Sequence, residues 1–373
     1  MPTVSMRKCT SYDKAGQAVI AAVKDLGGME RFISPGDSVL IKPNMLGAYN
    51  PDRHVTTHPS VVKAVAEMVL DCRGKPIIGD SPGLDPFPLV SRKTGIGEVG
   101  KALGVPVLPL IDSIPIRTKK GGKFRKIELS RLAVESDKII NIPKMKTHCQ
   151  MTLTLGVKNL FGTVVAQRKA EWHYKVGLNR DVFASLLIEI WDHLRPCLTV
   201  MDGVWGMEGR GPSNGVGRLF GVISTSDDSL AMDQVLSPLM GVKEGDFPLL
   251  RAARSYGMAY NEIRTIGDSV ESFSPKVDLP KSDSLRLLPP WMDRIGRDIL
   301  SSRPEQDRER CVGCQKCVQV CRAGALTMKE GKVLSFDYGR CIRCYCCHEM
   351  CPVDAIKLHR GAILRVLDLL DRI

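Results

Sequence analysis

Aromatic residues are scarce: Phe, Tyr and Trp together make up 5% of the 373 residues. So few stacking surfaces argue against a binder of single-stranded nucleic acid, and the basic residues are scattered rather than gathered into an arm. No stretch approaches the ~20 consecutive apolar residues that a membrane-spanning helix needs. The opening MPTVSMRKCT holds no apolar core of the kind a secretory leader carries. The expectation is therefore a protein of the reducing cytoplasm, with no membrane span and no nucleic-acid partner. The GxxxxGK[ST] phosphate loop and any nicotinamide or flavin fingerprint are also missing. Apolar content of 43% and charged content of 25% are ordinary for a globular protein. The length fits two domains, one large and one small.

Cysteine, by contrast, is abundant, with 13 in the chain. Cys311, Cys314, Cys317 and Cys321 are spaced C-x2-C-x2-C-x3-C, and Cys341, Cys344, Cys347 and Cys351 repeat that spacing. Zinc sites use four ligands, commonly as two separated pairs, and do not need the third and fourth cysteine of such a run. Disulfide frameworks suit short secreted chains. The spacing is instead that of two [4Fe–4S] clusters, in which the fourth cysteine of each run serves the other run's cluster. The expected ligand sets are Cys311, Cys314, Cys317 with Cys351, and Cys341, Cys344, Cys347 with Cys321. AGALTM follows the first run and VDAIKL the second, so the segment reads as two halves, about 302–331 and 332–361, each a loop, a short helix and a strand. Residues 302–361 resemble a bacterial-type 2[4Fe–4S] ferredoxin domain, with one departure: Arg322 stands after Cys321 where Pro352 follows Cys351. Cys346 lies between two ligands, either as a packed bystander or as an alternate ligand.

The net charge of +12 falls once eight thiolates and two cluster cores of about +2 each are counted, leaving the holoprotein near roughly +8. Such a surface suits an acidic redox partner protein or a small anionic substrate.

Ahead of the cysteines, helical and strand patterns alternate, which predicts an α/β domain over 1–270 with a mostly parallel, Rossmann-like sheet. Short apolar strands are expected at 38–41, 75–79, 138–142, 199–201 and 219–223. Helices are expected near 15–26, 61–69, 182–194 and 230–240. The Ser/Pro/Lys-rich stretch 271–301 reads as a linker. The small α+β ferredoxin-like domain follows, with a terminal helix at 362–373.

Polar residues gather just past the predicted strand ends, where ligand crevices of open α/β sheets lie. Lys42 and Asn44 follow one strand, Asp80 and Ser81 a second, Lys144, Lys146 and His148 a third, and Asp202 ends a fourth. GDSPG at 79–83 also fits a plain turn. The stretch 139–164 reads either as a solvated basic loop or as a pocket for carboxylate or phosphate. In the pocket, His148 is a candidate proton donor. In the Gly-rich stretch 202–233, the glycines are expected to shape a turn exposing Glu208. Cys72 and Cys197 read as core residues, and Cys149 beside His148 as a thiol of lowered pKa if the lysines converge on it.

IKPN at 41–44, GDSPG at 79–83, KTH…GVKNLFG and DG…EGxGP are similar to the DUF362 family, a domain of unknown function, over about residues 37–270. The resemblance implies an iron–sulfur protein with an undefined core chemistry. Carried over position by position, it nominates Lys42, Asn44, Asp80, Lys146, His148, Lys158, Asn159, Asp202, Glu208 and Asp233 without assigning roles. The expectation is Lys146, His148, Lys158 and Glu208 for chemistry, and Lys42, Asn44, Asp80, Asn159, Asp202 and Asp233 for holding a substrate. Two functions remain open, an iron–sulfur oxidoreductase acting on an anionic substrate, and a carrier or metalloenzyme-maturation accessory without catalysis. Protein purified without oxygen is expected to hold roughly eight irons and eight inorganic sulfides per chain by chemical assay. About four irons, or zinc in their place, would remove the two-cluster reading.

Overall fold

The structure, a computed structural model, describes residues 1–118, 121–177, 179–269, 273, 277–280 and 301–361. Most of the expected linker and the expected terminal helix lie outside the described residues. The chain forms two compact units, Met1–Lys169 with Arg180–Leu279, and Ala170–Asn179 with Pro280–Ile373. Nothing in the composition of residues 170–179 marks them as part of the cysteine-bearing unit.

In the large unit, short runs form strands, of which central ones such as those at 38–43 and 138–142 are buried along nearly their whole length while the edge strands are partly exposed. The strands are β1 (Thr3–Lys8), β2 (Ser38–Pro43), β3 (Lys75–Asp80), β4 (Val107–Pro109), a side hairpin of β5 (Ser113–Ile116) and β6 (Ile127–Ser130), β7 (Lys138–Ile142), β8 (Lys144–His148), β9 (Thr152–Thr154), β10 (Leu198–Glu208), β11 (Val216–Ser226) and β12 (Arg264–Gly267). All but the hairpin belong to one sheet, ordered β12-β1-β11-β10-β7-β2-β3-β4, with β8 alongside β10 and β9 paired to β8. The mostly parallel sheet expected from the sequence is present. Its parallel strands run β4-β3-β2-β7-β10, so chain order reverses direction between β2 and β7, the switch point where doubly wound sheets bind ligands.

Residue alternation explains the burial. Ile41 and Ile140 pack with Val19 and Val23 of helix Ala15–Asp25 and Val61, Val65 and Val69 of helix Pro59–Asp71. Their neighbours Leu40 and Ile139 join Leu110 and Ala133 in a separate cluster. A strand covered on both faces reads as a continuous apolar run rather than an alternating one. Helix Arg180–Leu194 is buried through Phe183, Leu187 and Trp191.

Two expectations change. Residues 144–148, open to reading as a solvated loop, are a strand with all five residues buried. Pro143 separates β7 from β8, and β8 continues beside β10, with Lys144 opposite Asp202. The glycines of 202–233 serve close packing more than a turn. They lie largely in an 11-residue strand pair, and a Cβ on Gly206 would come within 2.1 Å of the Met145 carbonyl oxygen.

The second unit is built on a 30-residue repeat. Strands β13 (Arg303–Gln306) and β16 (Ile356–His359) pair antiparallel, as do β14 (Leu326–Lys329) and β15 (Val333–Phe336). Leu326 opposes Phe336 while Ile356 opposes Gln306, so adding or subtracting 30 converts one pair into the other. Short helices Lys316–Val320 and Cys346–Glu349 follow the same rule. The turn after Cys321 closes through Gly324 N–H to the Cys321 carbonyl, as Asp354 does to Cys351, so Arg322 replaces the usual proline without altering that turn.

Candidate functional site

The cysteine loops fold alike because left-handed backbone recurs 30 residues apart. Gly313 and Arg343 have φ of 74° and 54°, and Gln315 and Tyr345 have 59° and 60°. Non-glycine residues hold such angles only under the constraint of their surroundings. One cavity in this unit is lined by Cys311, Cys314, Cys317 and Cys351, with Met328, Leu334 and Ile356 among its apolar walls. A second is lined by Cys321, Cys341, Cys344 and Cys347, together with Cys346, and walled in part by Ala170 and Tyr174. The Ala325 N–H donates to Cys321 Sγ at 3.3 Å, and the Ala355 N–H to Cys351 Sγ at 3.1 Å. Four sulfur donors per apolar cavity, with backbone N–H groups aimed at sulfur, fit iron–sulfur ligation.

The large unit concentrates buried charge past the strand ends. Lys42, ending β2, donates to Asp80 Oδ1 at 2.9 Å with both side chains out of solvent. The second Asp80 oxygen accepts the Met45 N–H at 2.7 Å. Gly162 of GVKNLFG closes over this pair, where a Cβ would lie 2.5 Å from Lys42 Nζ. Across the switch point, Asn44 accepts from Lys146 Nζ at 3.0 Å and donates to Asn159 Oδ1 at 3.0 Å. Asn159 in turn donates to Asn141 Oδ1 at 2.8 Å. Asp233 accepts the N–H groups of Gly156 and Val157 at 2.7 and 3.0 Å, fixing the short helix that carries Lys158 and Asn159. Burial pushes the Asp233 carboxyl up to about 8, against the opposing pull of those two N–H groups.

A further group surrounds Asp202. Its oxygens accept from Lys144 Nζ at 2.8 Å, the Tyr12 hydroxyl at 3.1 Å and the His58 N–H at 2.8 Å. Lys144 also donates to the Tyr12 oxygen at 2.5 Å. Desolvation lowers the Lys144 ammonium pKa although Asp202 opposes it, and desolvation raises that of the Tyr12 phenol. The His58 ring stacks on Tyr12 at 3.6 Å, and His54 stacks on Trp205 at 5.0 Å. Burial drives His58 down to about 4 and lowers His54, so both imidazoles are neutral near pH 7.

The nominated residues therefore divide. Lys42, Asn44, Asp80, Lys146 and Asn159 are joined by hydrogen bonds at the β2–β7 switch point, while Asp202 is paired with Lys144 beside them. His148 is buried on β8, and its Nδ1 accepts from the N–H groups of Gln150 and Met151 at 3.1 and 3.2 Å. That nitrogen is thus unprotonated, and the ring's proton sits on Nε2. Lys158 is half-buried on its helix. Glu208 is at the far end of β10, near Arg218 at 3.7 Å, and accepts the Asp278 N–H at 3.1 Å.

Four contributors escaped the sequence reading: Tyr12, His54, His58 and Lys169. Lys169 donates to the Ser81 carbonyl at 2.5 Å, and desolvation lowers its pKa to about 8. HVTTH at 54–58 was the available signal. This segment caps the layer, since the Val55 carbonyl accepts from Lys146 and the Thr57 side-chain hydroxyl accepts the Asn44 N–H.

The cysteine cavities define an iron–sulfur protein, and residues 310–355 match the family described as 4Fe-4S dicluster domain. Residues 39–237 match Domain of unknown function (DUF362), and the chain belongs to that family. It is 36% identical over 266 residues to the Thylakoid-associated protein sll1697 of Synechocystis sp., covering 69% of this chain and 80% of the relative. The lactate racemase apoprotein from Thermoanaerobacterium thermosaccharolyticum aligns with a TM-score of 0.39 and 12% identity, over 52% of this chain and 49% of that one. That likeness is too low to carry a functional statement. Among the described residues, no helix is long and apolar enough to cross a membrane.

The neutral state of His58 is open to a direct check. Its ring resonances in an NMR titration are expected to stay constant from pH 8 to 5.5 and to move with a midpoint near about 4. A midpoint near the unperturbed ~6.5 would show a solvated imidazole.

Proposed function

We propose that the protein is a cytoplasmic iron–sulfur electron-transfer protein and a reductase of a small anionic substrate. Two [4Fe–4S] clusters are held in a ferredoxin-like unit, one by Cys311, Cys314, Cys317 and Cys351, the other by Cys341, Cys344, Cys347 and Cys321. The observation that carries this reading is the crossed lining of the two cavities, each taking three cysteines from one run and the fourth from the other. When bound, such clusters supply one-electron transfer, while the protein sets their position and electrostatics.

On this reading the large unit holds the substrate. Lys146 and Asn44 lie at the topological switch point, and Lys146 is oriented by Asn44 Oδ1 and the Val55 carbonyl at 3.0 and 2.7 Å. An ammonium so oriented offers a carboxylate or phosphate a charge-assisted hydrogen bond. His148, carrying its proton on Nε2, serves as a neutral hydrogen-bond donor. Electrons come from an acidic redox partner drawn to the basic surface.

The mutual pairing of Lys42 with Asp80 and Lys144 with Asp202 favours a second reading, a non-catalytic carrier or maturation accessory whose buried charges are structural. Replacement of Lys146 separates the two. Lys146→Ala should keep both clusters yet weaken binding of inorganic phosphate or acetate, measured by calorimetry, roughly 10- to 150-fold, or ~1.5–3 kcal/mol. Equal or absent binding in both proteins, with unchanged reduction of a protein acceptor, would favour the carrier.

Crossed ligation has its own test in Cys321→Ser. The electron paramagnetic resonance signal of the cluster served by Cys341, Cys344 and Cys347 should change, leaving the other signal intact. Loss of the Cys311 cluster alone would mean that each run is self-contained.

A further inference from the structure

The scatter of basic residues along the chain has one exception. Arg117, Lys119, Lys120, Lys123, Arg125 and Lys126 put six cations into the ten residues 117–126, and no acidic residue stands between Asp112 and Glu128. This stretch joins β5 to β6. The hairpin is seated on the body: Ile116 pairs with Ile127 in its ladder, and both are buried together with Leu129. The returning half of the connection is pinned as well. The Glu189 carboxylate accepts the Lys123 N–H at 2.6 Å and the Phe124 N–H at 3.4 Å, and Lys123 Nζ donates to Ser185 Oγ at 2.9 Å. Gly122 permits that approach, since a Cβ there would lie 2.8 Å from Glu189 Oε2. Arg117 and Arg125 are exposed, and among the described residues neither has an acidic partner. Like charges held together repel one another, and an anionic surface relieves that cost. At the foot of the hairpin the surface turns apolar. Leu108 on edge strand β4 is 42% exposed, and Ile111 is 67% exposed.

We propose that this hairpin is a docking surface for a membrane face rich in anionic phospholipid headgroups. Cations on long, flexible stems ask no fixed contour of their partner, which suits mobile headgroups better than the surface of a folded protein. Leu108 and Ile111 add apolar area that leaves water on entering the headgroup–acyl boundary. The phosphate backbone of a nucleic acid offers them no such depth, and the aromatic residue of the stretch, Phe124, is half-buried, so bases find little to stack upon. A basic cluster joined to a modest apolar contact is the two-signal form of reversible membrane attachment. Such a protein lies on the membrane and needs no spanning helix. The docking surface goes beyond the electron-transfer reading and does not depend on it.

Sedimentation with lipid vesicles tests the surface in the anaerobically purified holoprotein. Binding is expected to vesicles of phosphatidylcholine with phosphatidylserine but not to phosphatidylcholine alone, and to fall as salt rises from about 0.1 M to about 0.5 M. The combined variant Arg117→Gln, Lys119→Gln, Lys120→Gln, Arg125→Gln should bind roughly fivefold more weakly per cation removed, on the order of several hundred-fold together. Its cluster absorbance should be unchanged. A variant of equal net charge, with Gln at the exposed Lys24, Lys75, Lys93 and Lys101, should lose less than about tenfold. Ile111→Ser should weaken binding by a factor that salt does not alter. Equal losses in the two charge variants would reduce the effect to net charge and overturn the proposal. Equal binding to neutral vesicles, or none to anionic ones, would overturn it too. Holoprotein that binds polyglutamate or duplex DNA but not anionic vesicles would assign the hairpin to an acidic protein or a nucleic acid, and end the lipid reading. Should a variant fail to fold, the lipid and salt dependence of the unaltered holoprotein still decides.

Discussion

Two ammonium–carboxylate pairs buried at the strand ends, Lys42–Asp80 and Lys144–Asp202, are what the large unit is organised around. Taking an ammonium and a carboxylate out of water costs several kcal/mol each, and only close pairing with further hydrogen bonds offsets it. Those further bonds tie down the surrounding loops. Asp80 fixes the chain after β2 through Met45, and Asp202 fixes Tyr12 and the start of helix Pro59–Asp71 through His58. Gly162 sits where any side chain would strike the first pair. Loss of one member strands its partner in a dry interior, which is more damaging than loss of the pair.

Much of this architecture was legible in the sequence because it follows from periodicity and breakers. Ile41, Ile140 and the valines of Pro59–Asp71 announced strands and helices through spacing alone. The eight cluster cysteines were legible because ligand spacing is a covalent constraint on a tight loop. β8 was harder to read, since three of its five residues, Lys144, Lys146 and His148, are ones that usually face solvent. Their burial depends on Asp202, Asn44 and the Val55 carbonyl, distant in the chain and invisible to any local pattern. Tyr12 belongs to the same class, lying 190 residues from Asp202.

The second unit shows how a repeat can keep its geometry while its residues diverge. Glycine at 313 becomes arginine at 343, and Gly324 becomes Asp354, yet all four keep positive φ. Left-handed backbone costs a non-glycine residue of order 1–3 kcal/mol where the surroundings impose it. The second half carries more of that cost than the first. Enclosure of Arg343, 0% exposed and stacked at 5.1 Å over Tyr338, supplies packing that the glycine of the first half lacks.

The division of the chain also bears on how it is made. Residues 170–179 belong to the cysteine-bearing unit but are synthesised long before it, with the last strands of the large unit still to come. At ~5–20 residues per second, translation takes on the order of ten to thirty seconds to travel from there to Cys351. During that interval Ala170 and Tyr174 have no cavity to wall. A gene fragment cut at the apparent linker would separate them permanently, leaving a cluster domain with a missing panel and a large domain with an unclaimed helix. The two units are thus one product of synthesis, and this protein is not a pair of modules joined end to end.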